Sequence, residues 1–278
     1  MKKAVFYLLL TIFFSGFVYG GYRLLSKMGE YKQIEDAYDN IAQMVVQTVP
    51  TIPEETENSN EPTSTTSQSQ QTVSLEEETV VDEPSPYDNV KVPIMVDFDT
   101  LCKINPDVVG WIYCEGTVIN YPVLKGEDND TYLYHQYDGT YSPGGSIFMD
   151  YRCESDFSGD YTVIYGHNML ADSMFNCLDY FRHEDYLREH SRFFYLTPSG
   201  KNYCLEVICV NLTAYKDDLR LFELRDSKRY LELIREQAEA DTGIDVTNDD
   251  QLVLLATCTY DFKDAKCTLL CKAIELSS

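Results

Sequence analysis

Arg192 to Tyr215 read RFFYLTPSGKNYCLEVICVNLTAY. Two runs rich in aromatic and β-branched residues, Arg192–Leu196 and Lys201–Tyr215, flank Thr197-Pro198-Ser199-Gly200. That composition predicts a β-hairpin with a tight turn. Working outward, further short strands are predicted at Val108–Tyr113 and Thr117–Val123, parted by Glu115-Gly116, and at Ser146–Met149, Tyr161–Tyr165, Gln251–Thr257 and Lys266–Leu276. Helices intervene. Phe98–Ile104 stops at Asn105-Pro106, Asn129–His135 reads as a helical turn, and Ser173–Tyr180 and Glu184–His190 are short. Ser227–Ala240 is amphipathic, with Asp226 or Ser227 as cap and Tyr230, Leu233, Ile234 and Ala238 facing inward. Many short strands with a few inserted helices predict a mainly β fold, a closed or nearly closed barrel with helical decoration.

The chain has 278 residues, with 22 Lys and Arg against 46 Asp and Glu, a formal charge of −24. This balance excludes a sequence-independent nucleic-acid binder, which needs a basic stripe. The apolar fraction of 44% is enough for a folded core. Met1-Lys2-Lys3 precedes an uncharged run from Ala4 to Tyr22. As a helix that run is about 28 Å long, near the hydrocarbon thickness of a bilayer. Residues 1–28 are therefore expected to form a single-pass anchor with the N-terminus inside and the rest outside. The alternative is a signal peptide cleaved near Val18-Tyr19-Gly20. Over 29–49, Ile34, Ala37, Tyr38, Ile41 and Val45 recur at helical spacing, fitting a solvated stalk, a helix that lies on the membrane or one that pairs with a neighbour. Pro50 to Val90 holds ten acids and no Lys or Arg, so 50–86 is expected to be a disordered acidic tether. Residues 87–278, about 190, make one domain by size.

Chemistry can be sought among nine cysteines and four histidines. An odd cysteine count leaves at least one thiol unpaired in the monomer, and no CxxC or zinc spacing occurs. Cys258 stands just past an apolar strand in Leu254-Leu255-Ala256-Thr257-Cys258-Thr259-Tyr260. His167 likewise ends a strand, in Tyr161-Thr162-Val163-Ile164-Tyr165-Gly166-His167-Asn168-Met169. A strand-end thiol and imidazole are held in place yet reachable, as nucleophile and general acid/base must be. A packed cysteine and a capping histidine fit each position equally well. The other cysteines read as packing residues, and His135, His183 and His190 as solvated side chains.

At these residues the chain resembles the sortases, and within them class B. The likeness covers nearly all of Phe98 to Leu276. It is carried by Asn105-Pro106-Asp107-Val108-Val109-Gly110-Trp111-Ile112, Ile119-Asn120-Tyr121-Pro122-Val123, Gly145-Ser146-Ile147-Phe148-Met149-Asp150-Tyr151-Arg152, and the His167 and Cys258 strings. The resemblance implies a closed eight-stranded β-barrel with an N-terminal helix and a long helix between late strands. It implies a membrane-anchored transpeptidase, displayed outside the cell, that needs no metal or cofactor. Cys258 would attack the Thr carbonyl of a C-terminal sorting signal on a secreted protein. His167 would move the protons, and the acyl group would pass to an amine of a cell-wall precursor.

One part of the pattern departs. Sortases carry an Arg on the last long strand, and Lys266 stands there, with no Arg after Arg235. Lys keeps the charge but loses the planar fork of donors. This departure supports a second reading, a binding module for sorting signals or cell-wall peptides with weak or no turnover. By the same resemblance Asn129, Leu133, Tyr165 and Thr257 are candidate substrate-groove residues, and Lys216–Gln251 a groove wall. A pilin-polymerising sortase and a plain hydrolytic cysteine protease are further alternatives.

Overall fold

The computed structural model describes residues 2–49, 87, 90–159, 161–169, 172–214, 227–247 and 249–276. The hairpin forms as its sequence predicts. β7 (Arg192–Leu196) pairs antiparallel with β8 (Asn202–Ala214) around a turn in which Gly200 has φ +86°. The remaining barrel strands are β3 (Val108–Tyr113), β4 (Asn120–Leu124), β5 (Ile147–Met149), β6 (Tyr161–Tyr165), β10 (Gln251–Cys258) and β11 (Ala265–Leu276).

Their order is β11-β10-β6-β5-β4-β3-β7-β8, and β11 pairs again with β8. That last pairing closes an eight-stranded barrel, parallel at β4–β5 and β6–β10 and antiparallel elsewhere. Closure depends on the two longest strands. β8 and β11 run beside each other from Ala265↔Ala214 to Leu276↔Asn202, with a bulge at Leu270/Cys271 that helps a long pair curve. Closing the barrel pairs its two end strands, β8 and β11, with each other and so covers the edges an open sheet would present. Trp111, Ile112, Leu205, Val207, Leu255 and Leu269 are among the fully buried core residues.

Around the barrel sit α2 (Phe98–Ile104), a 3-10 turn (Asn176–Arg182), α3 (Glu184–Glu189) and α4 (Ser227–Glu236). The Asp97 side chain caps α2 by accepting from the Thr100 amide at 3.0 Å. α4 ends four residues before the predicted limit, and the chain peels into β9 (Ala240–Asp241) on the edge of β8. Leu231 is buried, Ile234 and Ala238 are half-buried, and Leu233, expected inside, is exposed. Asp226 lies outside the described residues, as do the side chains of Ser227 and Tyr230.

Gly110 on β3 is required by a close approach. A Cβ there would fall 2.4 Å from the ring end of Tyr195, which is itself fully buried. Gly110→Ala should therefore lower stability by about 2 kcal/mol through overpacking, read as a drop in urea midpoint.

The N-terminal region is the main departure from the sequence reading. α1 is one continuous helix, Lys2–Val45. Its far end does not stand off as a solvated stalk: Ile34, Tyr38, Ile41 and Val45 are buried against the barrel. β1 (Val46–Thr48) follows directly and pairs antiparallel with β2 (Ile94–Val96). The stretch 50–86 lies outside the described residues, but the chain leaves for it and returns from it on this one ribbon. Through its docked end, α1 itself joins the apolar run to the barrel.

Candidate active site

β6 and β10 lie side by side and parallel, with Tyr165 opposite Ala256. Both chemistry-bearing strings therefore finish at the same rim of the barrel, His167 beyond β6 and Cys258 at the end of β10. The two ends are tied together. The Gly166 amide donates to the Ala256 carbonyl at 3.1 Å, the Thr257 hydroxyl to the Gly166 carbonyl at 2.8 Å, and the Asn168 side-chain Nδ2 to the Cys258 carbonyl at 2.8 Å. Gly166 has no room for a side chain, since a Cβ would meet Ile147 at 2.5 Å and Phe175 at 2.7 Å.

A cleft of about 380 Å³ opens at this rim. It is lined by His167, Cys258 and Lys266, by Asn129, Leu133, Tyr165 and Thr257, and by Arg152 and Tyr134 among others. All seven residues singled out from the sequence thus meet in one place. Of the described part of Lys216–Gln251, expected as a wall, no residue is among those lining the cleft, and 215–226 lie outside the described residues.

Of the nine cysteines, Cys258 alone is exposed. Burial pushes the thiols of Cys153 and Cys204 up to about 11 and those of Cys114, Cys177 and Cys209 up to about 12. Those groups stay protonated and inert at neutral pH, because the thiolate is the nucleophile. Solvent access singles out Cys258.

His167 is half-buried, and its Nε2 donates to the Leu133 carbonyl at 2.7 Å. A carbonyl oxygen only accepts, so Nε2 carries the hydrogen and, in the neutral ring, Nδ1 is the basic nitrogen. The Tyr134 ring lies against the imidazole at 6.3 Å between centroids.

Lys266 faces Cys258 directly in the antiparallel β10–β11 register. Opposed residues on such a pair project to the same side with Cβ atoms about 5 Å apart, so the ammonium belongs beside the thiol. Lys266 is 7% exposed, and its Nζ lies 4.9 Å from the centre of the Tyr165 ring, a cation–π contact.

Beneath the cleft a carboxylate to which the sequence reading assigns no role organises several of these groups. Asp150 is fully buried. It accepts from Arg152 Nε at 2.8 Å and Nη2 at 2.7 Å, from the Arg152 amide at 3.0 Å, from Asn129 at 2.8 Å and from the Tyr165 hydroxyl at 3.3 Å. Burial alone would raise its pKa, but the bonds from Arg152 and Asn129 outweigh it and hold the carboxyl below the usual range. Asn129 and Tyr165 are thus braced from below. Spacing alone marks Asp150-Tyr151-Arg152 only weakly, as an i, i+2 pair that a turn can close.

Two histidines read as solvated are not. His190 donates from Nδ1 to the Glu115 carbonyl at 3.0 Å and packs on Tyr186 at 4.4 Å, and His135 bonds the Thr131 carbonyl at 2.7 Å. Both cap backbone, while His183 is exposed. Among the described residues no His, Cys, Asp and Glu group is arranged to hold a metal ion.

An accessible thiol and an imidazole lining one cleft, on the rim of a closed mixed barrel, are the set that an enzyme with a thiol nucleophile needs. Comparison with known proteins gives the family. The Sortase B of Listeria monocytogenes is 36% identical over 174 residues, covering 61% of this chain and 70% of that protein. The crystal structure of Clostridium perfringens sortase B superposes with a TM-score of 0.59 at 32% identity, over 64% of this chain and 99% of that one. The Staphylococcus aureus sortase B–substrate complex gives 0.60 at 29%, over 65% and 85%. No protein-family sequence model matches the chain. The chain belongs to the sortase family, class B, and is a cysteine transpeptidase.

Proposed function

We propose that this transpeptidase cleaves a C-terminal sorting signal of secreted proteins after Thr and transfers the acyl group to an amine of a cell-wall precursor. The observation that carries the reading is the convergence of Cys258, His167 and Lys266 on one cleft. The Cys258 thiolate attacks the Thr carbonyl carbon and forms a C–S bond, and the carbonyl electrons move to oxygen. The oxyanion collapses, the C–N bond breaks, and the leaving amine takes a proton from His167. A thioester remains. The incoming amine then attacks the same carbon, gives its proton to His167, and expels the thiolate. Acyl energy is kept in the thioester, so no energy source is consumed.

Lys266 offers the positive charge that faces the developing oxyanion. It replaces the fork of an Arg by a single ammonium, buried and steadied on Tyr165. Lys266→Met should lower kcat by about 10²–10³, the size of losing an oxyanion donor, with the KM for peptide changing far less.

The apolar part of α1 supports a membrane-anchored display. Residues 6–45 include a span long and apolar enough to cross a bilayer, with none of that window buried in the protein. From Tyr22 to Ile34, where α1 meets the barrel, is about 18 Å of helix. The barrel is then held near the outer face of the membrane, where lipid-linked precursors and newly secreted chains pass.

The test is incubation of the full chain in detergent with a pool of sorting-signal peptides, with and without an amine acceptor. The reading predicts cleavage after Thr and a peptide–amine product. Hydrolysis unaffected by amine would mark a protease. Retention of peptides without cleavage would favour a binding module.

A further inference from the structure

The buried end of α1 lies against both segments that hold His167. Its stripe Ile34, Tyr38, Ile41 and Val45 is at most 3% exposed. The Tyr38 hydroxyl donates to the Gly145 carbonyl at 2.7 Å and lies 2.9 Å from the Ser146 hydroxyl. Ser146 in turn donates from Oγ to the His135 carbonyl at 2.8 Å and from its amide to the Tyr132 carbonyl at 2.9 Å. Between those two carbonyls stands Leu133, whose own carbonyl receives His167 Nε2. Gly145, at φ +53°, is pressed so close that a Cβ would lie 2.4 Å from that same Leu133 oxygen. On the other side, Ile34 and Met169 meet at Gly144, within 3.1 Å and 3.4 Å of where its Cβ would stand, and Met169 is two residues past His167.

We propose that the docked end of α1 is part of the catalytic apparatus, with Tyr38 a positioning residue that sets the Leu133 carbonyl and through it the orientation of His167. The inference rests on His167 as the proton carrier of the proposed reaction. It makes the anchoring helix more than a leash, since the same helix that emerges from the apolar run braces the imidazole. The Tyr38 ring packs edge-on against Tyr121 and Tyr137, each at 5.4 Å. Tyr38→Phe keeps that packing and removes only the hydroxyl.

The test needs no sorting signal. Cys258 is the one exposed thiol, so its alkylation by iodoacetamide can be followed by intact mass on the full chain in detergent. The pH profile of that rate reports how the imidazole and thiol titrate together. Wild type, Tyr38→Phe and His167→Gln are compared, with unfolding midpoints measured in parallel. The proposal predicts that the Tyr38→Phe profile moves from the wild-type curve toward that of His167→Gln. Peptide turnover should show kcat down about fivefold, the worth of one ordinary hydrogen bond, with KM unchanged. A profile that superimposes on wild type, with or without a lower unfolding midpoint, overturns it and leaves α1 a packing element. Should Tyr38→Phe not fold, Ser146→Ala removes the adjoining bond to the His135 carbonyl from the loop side, perturbs the same turn beside Leu133, and is read the same way. A shifted alkylation profile in a protein that cleaves no peptide would support the positioning role while sinking the proposed substrate reaction, so the two failures are told apart.

Discussion

His167→Gln is expected to lower kcat by about 10²–10⁴, the range for losing a positioned acid/base, while the KM for peptide stays within a few-fold. The substitution is chosen for geometry. Gln can still donate an amide hydrogen toward the Leu133 carbonyl that receives Nε2 at 2.7 Å, so the turn after β6 should hold its shape. What disappears is the second ring nitrogen, the only group that Gln cannot imitate. In the proposed reaction both half-reactions pass a proton through it, one to the leaving amine and one from the incoming amine. Loss should therefore appear in thioester formation and in its discharge alike. Single-turnover measurement of each step checks this, and an effect confined to KM would contradict the role.

Asp150→Ala is expected to destabilise the protein by about 1–3 kcal/mol, the cost of taking a buried acceptor from its donors, since Asp150 is fully buried while its partner Arg152 is exposed and can be hydrated. Arg152, Asn129 and Tyr165 all donate to this carboxylate, and its removal leaves a guanidinium and two polar groups without their acceptor. The pH dependence has a definite sign. The folded-state pKa is held below the ordinary carboxylate value of 3.8, so the stabilisation is full above about pH 5 and is lost as pH falls through the lower folded value. Wild type should thus lose part of its urea midpoint between pH 5 and 3. The Asp150→Ala protein should lose less over the same interval. Because Asn129 and Tyr165 line the cleft, activity should fall more than stability alone explains.

The barrel was legible wherever strand residues alternate or run apolar between turn residues. Arg192–Leu196 and its partner across Pro198-Ser199-Gly200 form the predicted hairpin, and β10 and β11 differ from expectation by one residue. Cys258 and His167 were readable because each sits at the end of such a strand, but only the β6–β10 pairing brings the two ends together. Long-range pairing has no local signature, and the same limit hid other features. The helical spacing of Ile34, Tyr38, Ile41 and Val45 marks a buried stripe without saying what covers it. Asp150 acquires its role from Asn129 and Tyr165, which are 21 and 15 residues away in the chain. His190 looks solvated beside Arg188 and Glu189, yet the fold swings it onto the Glu115 carbonyl, 75 residues upstream. At α4, Ile234 and Ala238 pack against the core as their spacing predicts, while Leu233 is exposed and Leu231 takes the buried place.

The most direct test of the central claim is intact-mass spectrometry of the full chain after exposure to sorting-signal peptides, beside Cys258→Ala and Lys266→Arg. The account predicts a thioacyl adduct on the natural sequence that is absent in Cys258→Ala and discharged by an added amine. An adduct that forms only in Lys266→Arg, or one that persists in Cys258→Ala, would contradict it.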